Sequence, residues 1–284
     1  MNDAMVLFDS AAVRRHRRRA VAALGDHDFL YREVADRLVE RLGDMRRDFG
    51  PAVLLDDHGG VLASALEGRV GDIRQCDPDG DEPFGADGSA DLVASLLSLH
   101  WINDLPGVLA RARRVLRPDG LFVAALFGAG TLTELRESWA VAEVAEEGGV
   151  GPRVAPFAEV RDAGALLQRA GFALPMADMD VITVDYPDAF ALMGDLRGMG
   201  ETNALHQRRK SFTRRATLMA MAEAYTARFG DADGRIPATF QVLWLTAWAP
   251  DTSQQKPLTP GSAKSRLADA LNATERPAGD KAKP

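Results

Sequence analysis

The sequence predicts an α/β fold, a largely parallel sheet with helices on both faces. Three stretches support it. Asp91 to Gly128 reads as strand, helix, strand. Ala52 to Leu55 is an apolar run that enters a glycine-containing turn and then a helix. Val181 to Tyr186 and Ala238 to Ala249 are strand-like runs nearer the C-terminus. Two buried apolar runs joined by an amphipathic helix form the unit from which parallel sheets are built, with a right-handed crossover.

In chain order, Asp9 or Ser10 can cap a first helix through about Leu24. The arginine-rich run Arg14 to Arg19 is its solvated face or, alternatively, a contact to an acidic partner. Asp28 begins a second helix, with Phe29, Val34, Leu38, Leu42, Met45 and Phe49 as its apolar stripe; Gly50 and Pro51 end it. Ala52 to Leu55 is the central strand, and Asp56 to Gly60 turns into a helix over Val61 to Leu66. Val70 to Gln75 is a second strand ending at Cys76 and Asp77. Only about 30 residues separate Gly60 from Asp91, whereas two helices, two strands and their loops need about 44. One βα unit is therefore missing, and Pro78 to Gly88 is a bare connection. Asp91 to Leu97 is a buried strand. Asp104 caps a helix carrying Leu105, Val108, Leu109, Ala112 and Leu116 on one face, stopped by Pro118, Asp119 and Gly120. Leu121 to Phe127 is the next strand. Thr131 and Glu134 form a capping box for a helix through Glu147, with Leu132, Leu135, Trp139, Ala142 and Val144 inward. A further helix spans Val160 to Ala170. Residues 187–237 are a helical insertion with segments near Asp188 to Arg197 and Arg214 to Phe229.

The expected layout is an N-terminal helical cap (1–50), a main domain (51–250) and a disordered tail (251–284) with at most a short helix near Arg266 to Leu271. The 46% hydrophobic content supports a sizeable core, and the net charge of −7 argues against nucleic acid as a partner. The single cysteine, Cys76, fits a reducing compartment, and a cytoplasmic protein is expected. The acidic residues among the first arginines favour a folded helix over a mitochondrial presequence. No apolar run reaches the ~18 residues of a membrane span.

The D-L-V-x-S strand at Asp91, the S-L-H-W-I-N-D turn at Ser98 and the V-L-R-P-D-G-L-F entry at Val115 carry a family resemblance. Together they resemble S-adenosylmethionine (SAM) dependent methyltransferases of the Rossmann-like class I. The mitochondrial complex I assembly factor 5 group and its bacterial relatives are most similar, followed by malonyl-carrier-protein O-methyltransferase. The resemblance covers Phe8 to Pro250. It implies a methyltransferase sheet ending in an antiparallel pair, here without one βα unit. It also implies a SAM site at the strand ends and a protein substrate, a respiratory complex I subunit. The chemistry implied is methyl transfer or, as in the mitochondrial relative, arginine hydroxylation.

Carried onto this chain, the cofactor positions are Asp56, His58, Gly60, Asp77 and Ser95. Only part of the pattern is kept. Leu54 stands at the family's acidic position, and Asp56 at its first glycine, where a carboxylate would crowd and repel the methionine carboxylate of SAM. Asp77 suits the ribose hydroxyls or is a plain turn aspartate. Asp57 and His58 form, alternatively, a metal or acid/base pair. His100 is the one candidate base near the strand ends; its plain alternative is a turn histidine packed beside Trp101. Trp101, Glu201 and Asn203 are candidate substrate or partner contacts, the last two on an insertion that most resembles the assembly-factor group; alternatively they cap a helix. On the contact reading, alanine at Glu201 and Asn203 should leave the melting temperature nearly unchanged. The degenerate turn and missing unit also fit a second function, a scaffold that has lost catalysis.

Overall fold

A computed structural model describes residues 6–45, 47–255, 262 and 267–274. The chain divides into two compact units, Met1–Asp251 and Thr252–Pro284. In the second unit a short helix spans Leu267–Ala270; the rest of the expected tail lies largely outside the described residues.

The first unit is a six-stranded sheet. Its strands are β1 (Ala52–Leu55), β2 (Ile73–Cys76), β3 (Ala90–Leu96), β4 (Leu116–Phe127), β5 (Ala173–Tyr186) and β6 (Ile236–Trp248), in the order β2-β1-β3-β4-β6-β5. The first four strands are parallel; β6 runs antiparallel to both β4 and β5. The helices are α1 (Ser10–Ala20), α2 (Phe29–Asp44), α3 (Val61–Ala65), α4 (Leu105–Val115), α5 (Thr133–Glu147), α6 (Val160–Arg169), α7 (Ala189–Gly198) and α8 (Arg215–Phe229).

Strand alternation builds two cores. Leu54, Leu92, Ala94, Val123, Phe240 and Trp244 point to a layer with α2, α5 and α8. Val53, Leu55, Val93, Phe122, Ala124 and Leu245 point to the other, with α4 and α6. Neighbouring residues on one strand serve opposite layers, so these strands carry no polar face. Leu55 pairs with Cys76 on one side and Ser95 on the other, which brings the carboxyl ends of β1, β2 and β3 to one level.

The missing unit is a finding of the structure. Residues 77–89 hold only turns and bends. Phe84 is 2% exposed and plugs the space, and its carbonyl accepts from the Cys76 thiol at 3.5 Å. Arg111 lies over the Phe84 ring at 4.4 Å and donates to the carbonyls of Pro78 and Gly80, each at 2.5 Å. One aromatic side chain and one guanidinium thus fix a connection that has no secondary structure.

Several local expectations are corrected. On α2, Phe29 is exposed, and Leu30 and Tyr31 take the inward positions. The capping box does not form: Thr131 donates to the Gln241 carbonyl, and Glu134 accepts from the Thr239 hydroxyl instead. Val144 faces solvent. Pro118, Asp119 and Gly120 lie inside β4 as a register shift, with Asp119 at φ 60°, rather than between helix and strand. The second strand is shorter than expected, and β5 begins at Ala173 rather than Val181.

The insertion is joined to the N-terminus. Phe8 bridges Leu205, the Asp9 N–H donates to the Ala204 carbonyl at 2.8 Å, and the His206 N–H donates to the Leu7 carbonyl at 2.8 Å. The Asn103 side chain accepts from the Leu7 and Phe8 N–H groups, both at 2.9 Å. These contacts hold α1 across the carboxyl ends of the strands.

Candidate functional site

Two cavities meet under α1. The first, about 390 Å³, lies at the carboxyl ends of β1 and β2 and is lined by Arg17, Asp56, His58, Asp77 and Ser98 among others. The second, about 440 Å³, lies beyond Trp101 and is walled by Phe127, Trp139, Phe157 and Phe240, with Glu201 in its lining. Trp101 lines both. Each volume is in the range of small-molecule sites.

Glu201 is the electrostatic centre. Its side chain is 3% exposed. One oxygen accepts from the Tyr31 hydroxyl at 2.8 Å; the other accepts from the Trp101 indole at 2.7 Å and lies 3.1 Å from His100 Nε2. Arg17 Nη2 is 3.8 Å away. Burial alone would raise its pKa, but His100, Arg17 and the indole outweigh burial and lower it to about 2. Glu201 is therefore a buried anion. It is neither a helix cap nor a surface contact.

His100 sits in the short turn Leu99–Trp101, against the rings of Trp101, Phe127 and Phe157. Its Nδ1 accepts from the Phe127 N–H at 3.4 Å, so the ring proton is on Nε2 and is donated to Glu201. Burial lowers its pKa and keeps it neutral. Both ring nitrogens are engaged, and neither is open to a substrate proton.

In the first cavity, Asp56 adopts φ 51° and forms an ion pair with Arg17. The expectation of an uncompensated carboxylate is thereby corrected, because a guanidinium from α1 neutralises it. Arg17 Nη2 also donates to the Leu97 carbonyl at 3.2 Å, while its buried Nε has no partner. His58 is 6% exposed and its Nε2 has no partner. Burial, then Arg17, lower its pKa to about 4, so at neutral pH that nitrogen is a bare acceptor. Asp57 accepts from the Leu62 and Ala63 N–H groups at 2.9 and 2.8 Å and so caps α3. Among the described residues no group of three or more acidic, histidine or cysteine side chains is placed to hold a metal.

The other sequence candidates divide. Asp77 lines the cavity. Ser95 does not; it is enclosed, bonded to Ser98 at 2.7 Å, and Ser98 is the serine that lines the cleft. Gly60 has φ 73° and lies in a neighbouring depression, and a Cβ on Gly59 would strike Leu24 at 2.1 Å. The close approach that glycine allows is thus used by the cap. Asn203 is spent on backbone bonds, donating to the Pro152 carbonyl at 2.8 Å and accepting from the Leu205 N–H at 2.9 Å.

Arg17 and Tyr31 were missed in the sequence reading. The Arg14 to Arg19 run is not uniformly solvated: His16 and Arg17 are buried. A signal existed, because Ala12, His16 and Ala20 recur at four-residue spacing and mark an inward face beside Arg17.

His58 and Glu201 fix the sign of the acid response. Each binds fewer protons folded than unfolded, so each stabilises above its unfolded pKa and loses that contribution as pH falls. The window is 6.5 down to about 4 for His58 and 4.5 down to about 2 for Glu201. The urea midpoint is expected to fall between pH 6.5 and 4, and His58→Asn to flatten part of that limb. An unchanged limb in the variant would contradict the buried neutral imidazole.

A methyltransferase domain model matches residues 44–124. The chain is similar to "Arginine-hydroxylase NDUFAF5, mitochondrial" of Danio rerio, 39% identical over 292 residues, 93% of this chain and 89% of the relative. It is similar to the Homo sapiens protein of that name, 40% over 257 residues, 83% and 74%. It is also similar to "Malonyl-[acyl-carrier protein] O-methyltransferase" of Xylella fastidiosa (strain M23), 35% over 271 residues, 86% and 89%. The expected cytoplasmic location is overturned by the first two, which are mitochondrial proteins. No helix of the described residues is long and apolar enough to cross a membrane.

Proposed function

This chain belongs to the methyltransferase-fold family that holds the arginine-hydroxylase NDUFAF5 and malonyl-[acyl-carrier protein] O-methyltransferase, and on that premise we propose that it modifies an arginine side chain of a protein. One observation carries the choice: the aromatic-walled cavity ends on an anion. An arginine side chain offers methylenes and a flat cation, suited to Trp101 and Phe157 walls and to a carboxylate. Glu201 has about four acceptor sites, three of them used, which leaves one for a guanidinium. A malonyl carboxylate in the same seat would oppose Glu201 charge against charge. His100 then holds Glu201 in place and does not itself take a proton. By resemblance to the assembly factors, the protein substrate is a subunit of respiratory complex I.

The strand-end cleft suits SAM, whose role when bound is to supply a methyl group. Arg17 Nε and His58 Nε2, a buried donor and a buried acceptor without partners, suit an α-carboxylate and an α-ammonium. Asp77 suits ribose hydroxyls. A scaffold without catalysis is the second reading, favoured by Leu24 packing into the space over Gly59.

The test is mass spectrometry of complex I from cells with the wild-type protein, Glu201→Gln or none. One arginine should carry an added mass with wild type, an oxygen where dioxygen and a two-electron reductant are co-substrates, and lose at least about nine-tenths of it with Glu201→Gln, the tenfold equal to roughly 1.4 kcal/mol. An added methyl group in its place selects methyl transfer. No arginine differing between cells, with complex I still failing to assemble, selects the scaffold.

A further inference from the structure

The mouth of the aromatic cavity is basic, in a chain whose net charge is −7. His16, Arg19, Arg153, Arg197, Arg208 and Arg209 line it, and Glu201 is the one carboxylate among its lining residues. Three of these arginines are neutralised from within. Arg153 pairs with Glu143 at 2.5 Å, Arg208 with Asp9 at 2.9 Å and Arg209 with Glu147 at 2.5 Å. Arg19 on α1 and Arg197 on α7 are exposed and, among the described residues, have no ion-pair partner.

We propose that Arg19 and Arg197 read carboxylates on the substrate chain, so that the arginine taken into the cavity is one flanked by aspartate or glutamate. The proposal rests on the arginine seat described above and adds the sequence around it. The two parts need each other electrostatically. An arginine approaching alone meets the unpaired guanidinium groups of Arg19 and Arg197, and acidic neighbours convert that repulsion into attraction. α1 and α7 pack against each other beside the cavity, so both cations stand at its rim, where they suit carboxylates close in sequence to one inserted residue. The apolar walls take the methylenes of the central residue, and the mouth takes the charges of its neighbours. Bidentate guanidinium–carboxylate pairing would fix the direction of the bound segment as well as its affinity. An acidic segment also suits this chain's own charge pattern, because the rest of an acidic surface repels it and leaves the basic mouth as the favourable landing place.

The test uses fluorescence anisotropy of the full chain with labelled nine-residue peptides at low salt. One peptide has a central arginine with aspartate and glutamate flanks. A second has neutral serine and glycine flanks, a third has lysine flanks, and a fourth keeps the acidic flanks but replaces arginine with norleucine. The acidic-flanked arginine peptide should bind at least about tenfold tighter than the neutral one, and the gap should shrink as salt screens it. Arg19→Glu with Arg197→Glu should abolish that gap and let the lysine-flanked peptide bind as well as the neutral one. Each single variant gives the same reading at smaller amplitude if the double variant does not fold. Equal binding of acidic and neutral flanks, or a gap that survives the charge reversals, overturns the proposal. If the flanks matter but norleucine binds as well as arginine, the basic mouth stands and the arginine seat fails.

Discussion

Glu201→Leu is expected to lower the melting temperature by about 10 °C, read by circular dichroism at pH 7. The leucine removes the acceptor of the Trp101 indole and of His100 Nε2, and leaves the Tyr31 hydroxyl only the Met199 carbonyl at 3.4 Å. It also takes the second carboxylate from beside the buried guanidinium of Arg17. Breaking one side of such a network costs roughly 3–5 kcal/mol, because the remaining polar groups stay desolvated. For a domain of this size about 2–4 °C accompanies each kcal/mol. The surface-contact reading of Glu201 predicted almost no change. A melting temperature within about 2 °C of wild type would restore that reading.

Arg17→Met is expected to weaken S-adenosylhomocysteine at least about tenfold by isothermal titration, or roughly 1.4 kcal/mol. It should leave 5′-methylthioadenosine unchanged, since that compound lacks the amino-acid head. The motive is the unpartnered Nε of a guanidinium that lines the strand-end cleft and already neutralises Asp56. Methionine keeps the stem volume and removes the charge, leaving Asp56 to oppose the ligand carboxylate. An equal loss for both nucleosides would show that the variant disturbs the cleft as a whole. No change for either would remove Arg17 from ligand binding. Because Arg17 already neutralises Asp56, Asp56→Gly acts chiefly by freeing that cation for the ligand.

The centre of the sheet was legible in the sequence because β1, most of β3 and the second half of β4 are apolar, and because α5 and α6 stop at Gly148 and Gly171. Counting residues between Gly60 and Asp91 sufficed to find the missing unit, since a chain too short for two helices cannot hide them. The site was only half legible. Asp56, His58, Asp77, Trp101 and Glu201 were picked out by position or resemblance, and the structure gathers them beneath α1. What local pattern could not give was the partner of each charge. Arg17 lies in a run of like residues, and nothing within that run says which arginine turns inward. Its burial is decided by Asp56, Leu97 and Glu201, which are remote in the chain. Glu201 was misplaced for the same reason: a glutamate after Gly198 and Gly200 looks like a loop residue until four side chains from elsewhere surround it. Ser95 and Ser98 are three apart, and only the register of β3 against β1 tells which one reaches the cleft.

The joining of the N-terminus to residues near 205 has a consequence for biosynthesis. Arg17 leaves the ribosome early, while Glu201 follows only after five of the six strands have been made. Until then the arginine-rich helix has Asp56 as the one carboxylate for its inward cation and no strand-like partner for Phe8. A nascent chain can assemble the β1–β4 sheet and the lining of the strand-end cleft as it emerges, yet the aromatic cavity lacks Glu201 and its neighbouring walls before the insertion arrives. The aromatic cavity is therefore incomplete in every earlier intermediate of synthesis, and its competence to bind appears late. Any chain released before Glu201 lacks the anion on which the aromatic cavity ends.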